Sequence, residues 1–505
     1  MNALLAKPKE SSKNREVVSF FADSTKKLLI HGAWCAAESG ETFDVVDPFD
    51  GQKLCQVARG GAADIDLAVS SAREAFNGDW SKATPRQRER LLQRVADLIE
   101  ENIDAFATLE TLDQGKAFGV GRYAEIPGAI EQFRFFAGAT QNLQGAVIPT
   151  SISYQPAGKR VFAYTKKEPI GVVGAIVPWN SPLVLTAMKL APAVAAGCTV
   201  VLKPAEDTPL TALMLGQIFL EAGFPPGVLN VVSGYGDEAG AALASHPGVD
   251  KIAFTGSTQT GRLILDAAKA NLKKVSLELG GKSPTIIFDD ADLGMAIPGA
   301  ANAIYFNSGQ VCVAGSRLYA QRKIFDQVVE GVAEAAKNMV LGHGLNEGTQ
   351  MGPMVSRQHA ERVSGFIDRA QGDGAEVITG GEAFGPNESF IAPTVVANVS
   401  DNMEIVQEEV FGPVVVCAPF DDEEEVIAAA NNSSFGLAAS VWTESLSRAQ
   451  RTSDDVRSGT VWVNCHAIYD ASLPIGGLKQ SGWGRDSGLA ALDGYTEIKT
   501  VCSVV

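Results

Sequence analysis

Between Glu168 and Leu279 five short apolar runs, Ile170–Val177, Thr199–Leu202, Val228–Val232, Lys251–Phe254 and Lys274–Leu279, alternate with longer stretches of helical character. No other feature constrains the fold as tightly. Near-continuous apolar runs belong to strands covered on both faces, and parallel βαβ units are what place helices on both faces of a sheet. The expectation is an α/β chain with a Rossmann-like parallel sheet, in which a dinucleotide lies at the carboxyl ends of the strands beside helix N-termini. The alternation resumes from about Pro284 to Leu478, which predicts a second α/β domain; 505 residues with 46% hydrophobic content suffice for two or three structural units.

Local signals refine this outline. The tightest turn candidates are Gly234-Tyr-Gly236 with Gly240 and the string Phe254-Thr-Gly-Ser-Thr-Gln-Thr-Gly261, although the first misses the common dinucleotide fingerprint by one residue and is weak by itself. Thr84-Pro-Arg-Gln87 reads as a capping box opening a helix whose Leu91, Leu92, Val95, Leu98, Ile99 and Ile103 form an apolar stripe. The stretch Leu183 to Leu202 carries one charge, Lys189, and is broken by Pro192 and Gly197, so it predicts a buried helix entering a buried strand and no membrane span.

Charge and side-chain inventory exclude several functions. A net charge of −17 opposes nucleic-acid binding, and the acidic run Asp421 to Glu425 fits a solvated first helical turn. The seven cysteines, 35, 55, 198, 312, 417, 465 and 502, contain no C-x-x-C pair, so a reduced, cytoplasmic protein is expected. Met1 to Val18 is polar and lysine-bearing, without the apolar core of a secretory signal. None of the histidines 31, 246, 343, 359 and 466 forms a metal or Cys-His signature, so neither a metal site nor a cysteine protease is expected.

Chemistry concentrates in two strings. Cys312 lies within Phe306-Asn-Ser-Gly-Gln-Val-Cys-Val-Ala-Gly-Ser-Arg317, flanked by Gly309 and Gly315, and Glu278 begins the turn of Leu277-Glu-Leu-Gly-Gly-Lys282. A cysteine nucleophile needs a turn that presents its sulfur, and a thioester needs a base to direct water at it. The two stand 34 residues apart, 312 minus 278. This pair, at this distance, resembles the aldehyde dehydrogenase superfamily, and the likeness covers roughly residues 28 to 500.

The resemblance carries specific roles. It implies that Cys312 attacks an aldehyde, that the hemithioacetal gives hydride to NAD, and that Glu278 activates water to release a carboxylic acid. It makes the Asn180 amide, in Pro178-Trp-Asn180, and the Cys312 backbone N–H the oxyanion donors, with Lys189 a further catalytic residue. Cofactor contacts are implied for Val177, Pro178, Trp179, Gly236, Phe254, Gly256, Ser257 and Leu279. Lys203 and Glu206, in Val201-Leu-Lys-Pro-Ala-Glu206, would bind the adenosine ribose, the carboxylate favouring NAD over NADP. Glu409 and Phe411, in Gln407-Glu-Glu-Val-Phe-Gly-Pro413, would clamp the nicotinamide end. Pro474 to Gly482 with Trp483-Gly-Arg-Asp486 matches a C-terminal support string.

By position, Ser181, Val184, Leu185, Met188, Phe306, Val311, Val313, Tyr469 and Ile475 would line a mostly apolar substrate tunnel. Strings from Gly459 to Ser481 look most like the bacterial phenylacetaldehyde dehydrogenase branch, so an apolar or aromatic aldehyde is expected, with long-chain or terpenoid aldehydes as the alternative. Ser181 stands where many relatives carry Phe or Tyr, which would widen the tunnel. A CoA-acylating relative and a non-catalytic protein reusing the fold are further readings, the first opposed by Glu278 and the second by the joint presence of Cys312, Glu278, Asn180, Lys203 and Glu409. The implied layout is an NAD-binding domain at 18–149 and 169–280, a catalytic domain at 281–480, and an oligomerisation arm at 150–168 and 490–505 that would build a homodimer or homotetramer.

Overall fold

The computed structural model describes residues 20, 23–152 and 157–505. The reading of Met1 to Val18, and the part of the expected arm at 153–156, lie outside the described residues. All five predicted strands are present and share one eight-stranded sheet. In sheet order they are Lys274–Glu278, Lys251–Thr255, Val172–Ile176, Thr199–Lys203 and Leu229–Val231, all parallel to their neighbours. Antiparallel strands close both ends: Gly482–Trp483 beside Lys274–Glu278, and Leu28–Ile30 with Ala33–Cys35 beside Leu229–Val231. Chain order runs outward from Val172–Ile176 in one direction and then restarts on its other side at Lys251–Thr255. That reversal opens a crevice at the carboxyl ends of those two strands.

A second sheet of seven strands has the order Glu376–Thr379, Thr394–Ala397, Val414–Phe420, Arg317–Gln321, Pro284–Ile287, Ala438–Trp442 and Thr460–Val463, parallel except at its first pair. A third sheet pairs Val161–Pro169 antiparallel with Thr496–Val504 along its whole length and adds Val147–Ile148. Phe162, Ile498 and Val504 remain exposed on it.

Local chemistry explains the helices that carry the site. The Thr84 hydroxyl accepts from the Gln87 N–H and the Gln87 side chain returns to the Thr84 N–H, so the predicted capping box opens the helix Pro85–Glu101. That helix stops at Glu101, and Ile103, assigned to its stripe from sequence, starts the next helix, Ile103–Gln114. Pro192 does not interrupt the predicted buried helix: Pro182–Ala196 runs through it and ends at Gly197, where φ is +100°. Leu190, Ala191, Ala193 and Val194 around the proline are completely buried. Packing on all sides holds a helix that propensity alone would break. Among the described residues no helix is long and apolar enough to cross a membrane, and no three His, Cys, Asp or Glu residues group as metal ligands.

Candidate active site

Cys312, the candidate nucleophile, sits at the end of an unusual turn. Helix Leu293–Tyr305 gives way to Asn307, Ser308 and Gly309, three successive residues in the left-handed region at φ +48°, +57° and +70°. Each non-glycine residue there costs on the order of 1–3 kcal/mol and persists only where its surroundings dictate it. Here the side chains do so. Asn307 Nδ2 donates to the Asn180 carbonyl at 2.9 Å and Ser308 Oγ to the Gly352 carbonyl at 2.9 Å. Gln310 accepts the Val355 N–H through Oε1 at 2.9 Å. A Cβ at Gly309 would collide with the Gly412 carbonyl, and one at Gly281 with the Cys312 carbonyl, so both glycines permit close backbone approach. His466 Nε2 lies 3.0 Å from the Val313 carbonyl and, facing an acceptor, must carry the hydrogen. Cys312 is thereby fixed from both flanks.

The electrostatics raise both the Cys312 thiol and the Glu278 carboxyl. Burial, then the nearby Glu409 and Glu278 charges, push the Cys312 thiol up to about 12. Burial raises the Glu278 carboxyl well above the usual range, Asp486 raises it further, and Lys189, Arg485 and the Gly477 N–H act in the opposite direction. Glu278 ends the strand Lys274–Glu278, and its Oε1 is buried without a hydrogen-bond partner. Beside it the buried Lys189 donates to Asp486 at 2.9 Å. In the sequence Asp486 is only part of a support string; the signal for it is Lys189, a lysine alone in an apolar helix, which requires a buried counter-charge.

The implied cofactor residues gather at the crevice. Val177, Pro178 and Trp179 follow the strand Val172–Ile176, and Val177 N–H donates to the Lys203 carbonyl at 3.2 Å. Lys203 Nζ donates to Glu206 at 2.9 Å. Ser257 caps the helix Thr258–Ala268, its hydroxyl accepting from the Thr260 N–H. Gly261 lies close enough to Leu279 that a Cβ would overlap the leucine side chain, and Gly256 likewise meets the Phe254 ring. Nothing stands within 4 Å of where a Cβ at Gly236 would lie, leaving that turn open. Glu409 Oε1 accepts the Gly281 N–H at 2.9 Å, and burial brings its carboxyl up to about 7. Phe411, at φ +60°, meets Trp179 edge-on at 5.3 Å. An open glycine turn, a helix N-terminus, the buried and unpartnered Thr255 hydroxyl, and a lysine–carboxylate pair at the strand ends fit a dinucleotide diphosphate and its riboses.

The expected tunnel residues are partly united. Val184, Leu185 and Met188 lie on the helix Pro182–Ala196 directly after Asn180 and Ser181. Val311 and Val313 pack with Leu437, Ala438 and Trp462, and Tyr469 meets Trp462 edge-on at 5.8 Å. Tyr469 itself is 46% exposed. Phe306 is half-buried at the head of the nucleophile turn; Ile475 bridges through its backbone to Asp486. A network missed from sequence adjoins them. Ser181 Oγ donates to Glu125 at 2.8 Å, Lys116 Nζ binds both Glu125 and Glu110, the latter at 2.8 Å, and Glu110 accepts the Leu183 N–H at 2.9 Å. Burial, with the Glu110 charge, raises Glu125 to about 7 against the pull of Lys116.

Residues 34–501 match the model of the aldehyde dehydrogenase family. Aldehyde dehydrogenase 1 of Tanacetum cinerariifolium is 47% identical over 95% of this chain and 95% of its own. Retinal dehydrogenase 2 of Homo sapiens is 45% identical over 94% and 91%. The NAD+ complex of an aldehyde dehydrogenase from Bacillus cereus superposes with a TM-score of 0.95 at 45% identity, covering 98% of this chain and 99% of that one. The nucleophile turn, the paired carboxyl and the dinucleotide crevice thus belong to a known lineage: the chain is a member of the aldehyde dehydrogenase family, an NAD-dependent oxidoreductase acting on aldehydes.

Proposed function

We propose that the chain oxidises apolar, aryl-alkyl aldehydes such as phenylacetaldehyde to the carboxylic acid, with Cys312 as nucleophile and Glu278 as base. The observation that carries the substrate class is the hydrocarbon packed with Cys312, namely Val311, Val313, Leu437, Ala438 and Trp462, with Val184, Leu185 and Met188 on the helix that follows Asn180. Relatives bearing the names retinal dehydrogenase and betaine aldehyde dehydrogenase differ widely in substrate, so family membership does not choose among aldehydes.

In the proposed cycle the ionised Glu278 carboxylate takes the thiol proton as the Cys312 sulfur bonds to the carbonyl carbon, and passes it on to solvent. The developing oxyanion is met by the Asn180 amide and the Cys312 backbone N–H, donors worth most where charge appears only in the transition state. Lys203, Glu206, Ser257, Glu409 and the Trp179–Phe411 pair would hold NAD+, which would supply hydride acceptance and so leave the substrate as a thioester on Cys312. Glu278, once ionised, takes a proton from water as the water oxygen attacks the thioester; the C–S bond breaks, and thiol and carboxylic acid are released. Lys189 and Asp486 set the charge balance that decides when Glu278 ionises. The layout accompanying this reading is an NAD-binding domain at 18–149 and 169–280, a catalytic domain at 281–480, and the arm at 150–168 and 490–505 joining copies into a dimer or tetramer.

A panel of aldehydes compared by kcat/KM tests the substrate class. Each added buried CH₂ contributes about 0.8 kcal/mol, so three or four carbons give roughly ten- to hundredfold over acetaldehyde. A ranking led by acetaldehyde or succinic semialdehyde contradicts the proposal.

A further inference from the structure

We infer that Glu125 is a positioning residue for the oxyanion donor, acting through the hydroxyl of Ser181. The inference rests on the assignment of Asn180 as that donor. Ser181 occupies the N-cap of the helix Pro182–Ala196, and a serine there ordinarily turns its hydroxyl back to accept an N–H of the first turn. Ser181 makes no such cap. Its hydroxyl donates outward to Glu125 Oε1 at 2.8 Å, and the Leu183 N–H that a cap would serve goes to Glu110 Oε1 at 2.9 Å. Glu110, from another part of the chain, therefore takes the place of the local cap, and Glu125 takes the hydroxyl that would have made it.

These carboxylates are joined by one cation. Lys116 binds both, and the side chains of Lys116 and Glu110 are 0% exposed and that of Glu125 8%. Burying three ionisable groups costs several kcal/mol per ion before their attraction is counted, whereas a serine cap would satisfy the same helix end at no such cost. What the costly arrangement adds is a fixed direction for the turn that precedes the helix. Asn180 lies in that turn, with its carbonyl held by Asn307 and its Nδ2 donating to the Gln310 carbonyl at 2.9 Å, two residues before the nucleophile. Glu125 and Glu110 hold the other side of the same turn. The amide is thus held from the nucleophile loop on one flank and from the Lys116 network on the other.

The test compares Asn180→Ala, Ser181→Ala, Ser181→Thr, Glu125→Ala and the double variants with Asn180→Ala in the full-length enzyme, following kcat, KM and NAD affinity. Displacing a catalytic group by a fraction of an ångström lowers rate steeply, so Ser181→Ala and Glu125→Ala should each lose about tenfold in kcat on every aldehyde, with KM and NAD affinity within about twofold. Ser181→Thr, which keeps the hydroxyl, should recover most of the loss. Neither substitution should reduce kcat further in the Asn180→Ala background. Should Glu125→Ala fail to fold, Ser181→Ala alone decides. A loss in Asn180→Ala without a loss in Ser181→Ala, a loss confined to bulky aldehydes, or full additivity with Asn180→Ala overturns the inference alone; an unchanged kcat in Asn180→Ala overturns the donor assignment together with it.

Discussion

Two buried lysines, Lys116 and Lys189, each stand with two carboxylates, and they are built differently. Lys116 bonds directly to both Glu110 and Glu125, whose remaining oxygens accept the Leu183 N–H and the Ser181 hydroxyl. Lys189 bonds only to Asp486, and the neighbouring Glu278 keeps a buried oxygen with no partner. A fully satisfied buried network holds its members rigid, and an unsatisfied buried carboxyl is costly unless something else uses it. On the proposed mechanism the contrast separates a clamp from a reagent: the first lysine network is closed, and the second is left open at Glu278 Oε1, the atom proposed to act as base.

The largest effect should come from the open network. Glu278→Gln removes the base while keeping the shape, and general-base contributions of about 10²–10⁴-fold set the expected fall in kcat. Stopped-flow NADH formation checks it, and an unaltered steady-state rate removes Glu278 from the mechanism. Breaking the closed network should instead affect stability. Lys116→Met leaves two buried carboxylates without their cation, a change that costs about 3–5 kcal/mol, visible as a lower denaturation midpoint in urea. Equal stability of the variant would show that the network is not ionised.

Cofactor choice gives a smaller effect. Glu206→Gln removes a carboxylate that opposes a 2′-phosphate, so kcat/KM with NADP should rise about tenfold while NAD remains usable. The pH profile gives the smallest shift and the most specific one. Burial and Asp486 raise the Glu278 carboxyl, and only its ionised form accepts a proton from water, so kcat should rise with pH along an acid limb. Neutralising Asp486 lowers that carboxyl's pKa, so Asp486→Asn should move the limb to lower pH. A limb that stays in place, or moves upward, breaks the proposed coupling.

The same contrast explains what sequence made legible. The alternating apolar runs correspond to the five parallel strands, and the family strings surround one crevice, because strand periodicity and short glycine turns are local. Lys189 was legible as out of place in an apolar helix, yet its partner Asp486 lies 297 residues away. Glu110, Lys116 and Glu125 carry no motif, and nothing local reports that tertiary packing buries them. Gly309 announced a turn, while the left-handed Asn307 and Ser308 beside it are imposed by hydrogen bonds to Asn180 and Gly352 from distant segments. Pro192 failed as a helix breaker for the same reason: the packing that carries the helix through it is not local.

The central claim is that an acyl group is transferred to Cys312 and removed by water activated at Glu278. Its most direct test is the Glu278→Gln enzyme mixed with NAD and phenylacetaldehyde, quenched in acid and measured by intact-protein and peptide mass spectrometry. The account predicts a burst of about one NADH per active site, followed by slow turnover, with the acyl mass on the peptide containing Cys312. Wild-type turnover without a burst, or an adduct on any other residue, would contradict it.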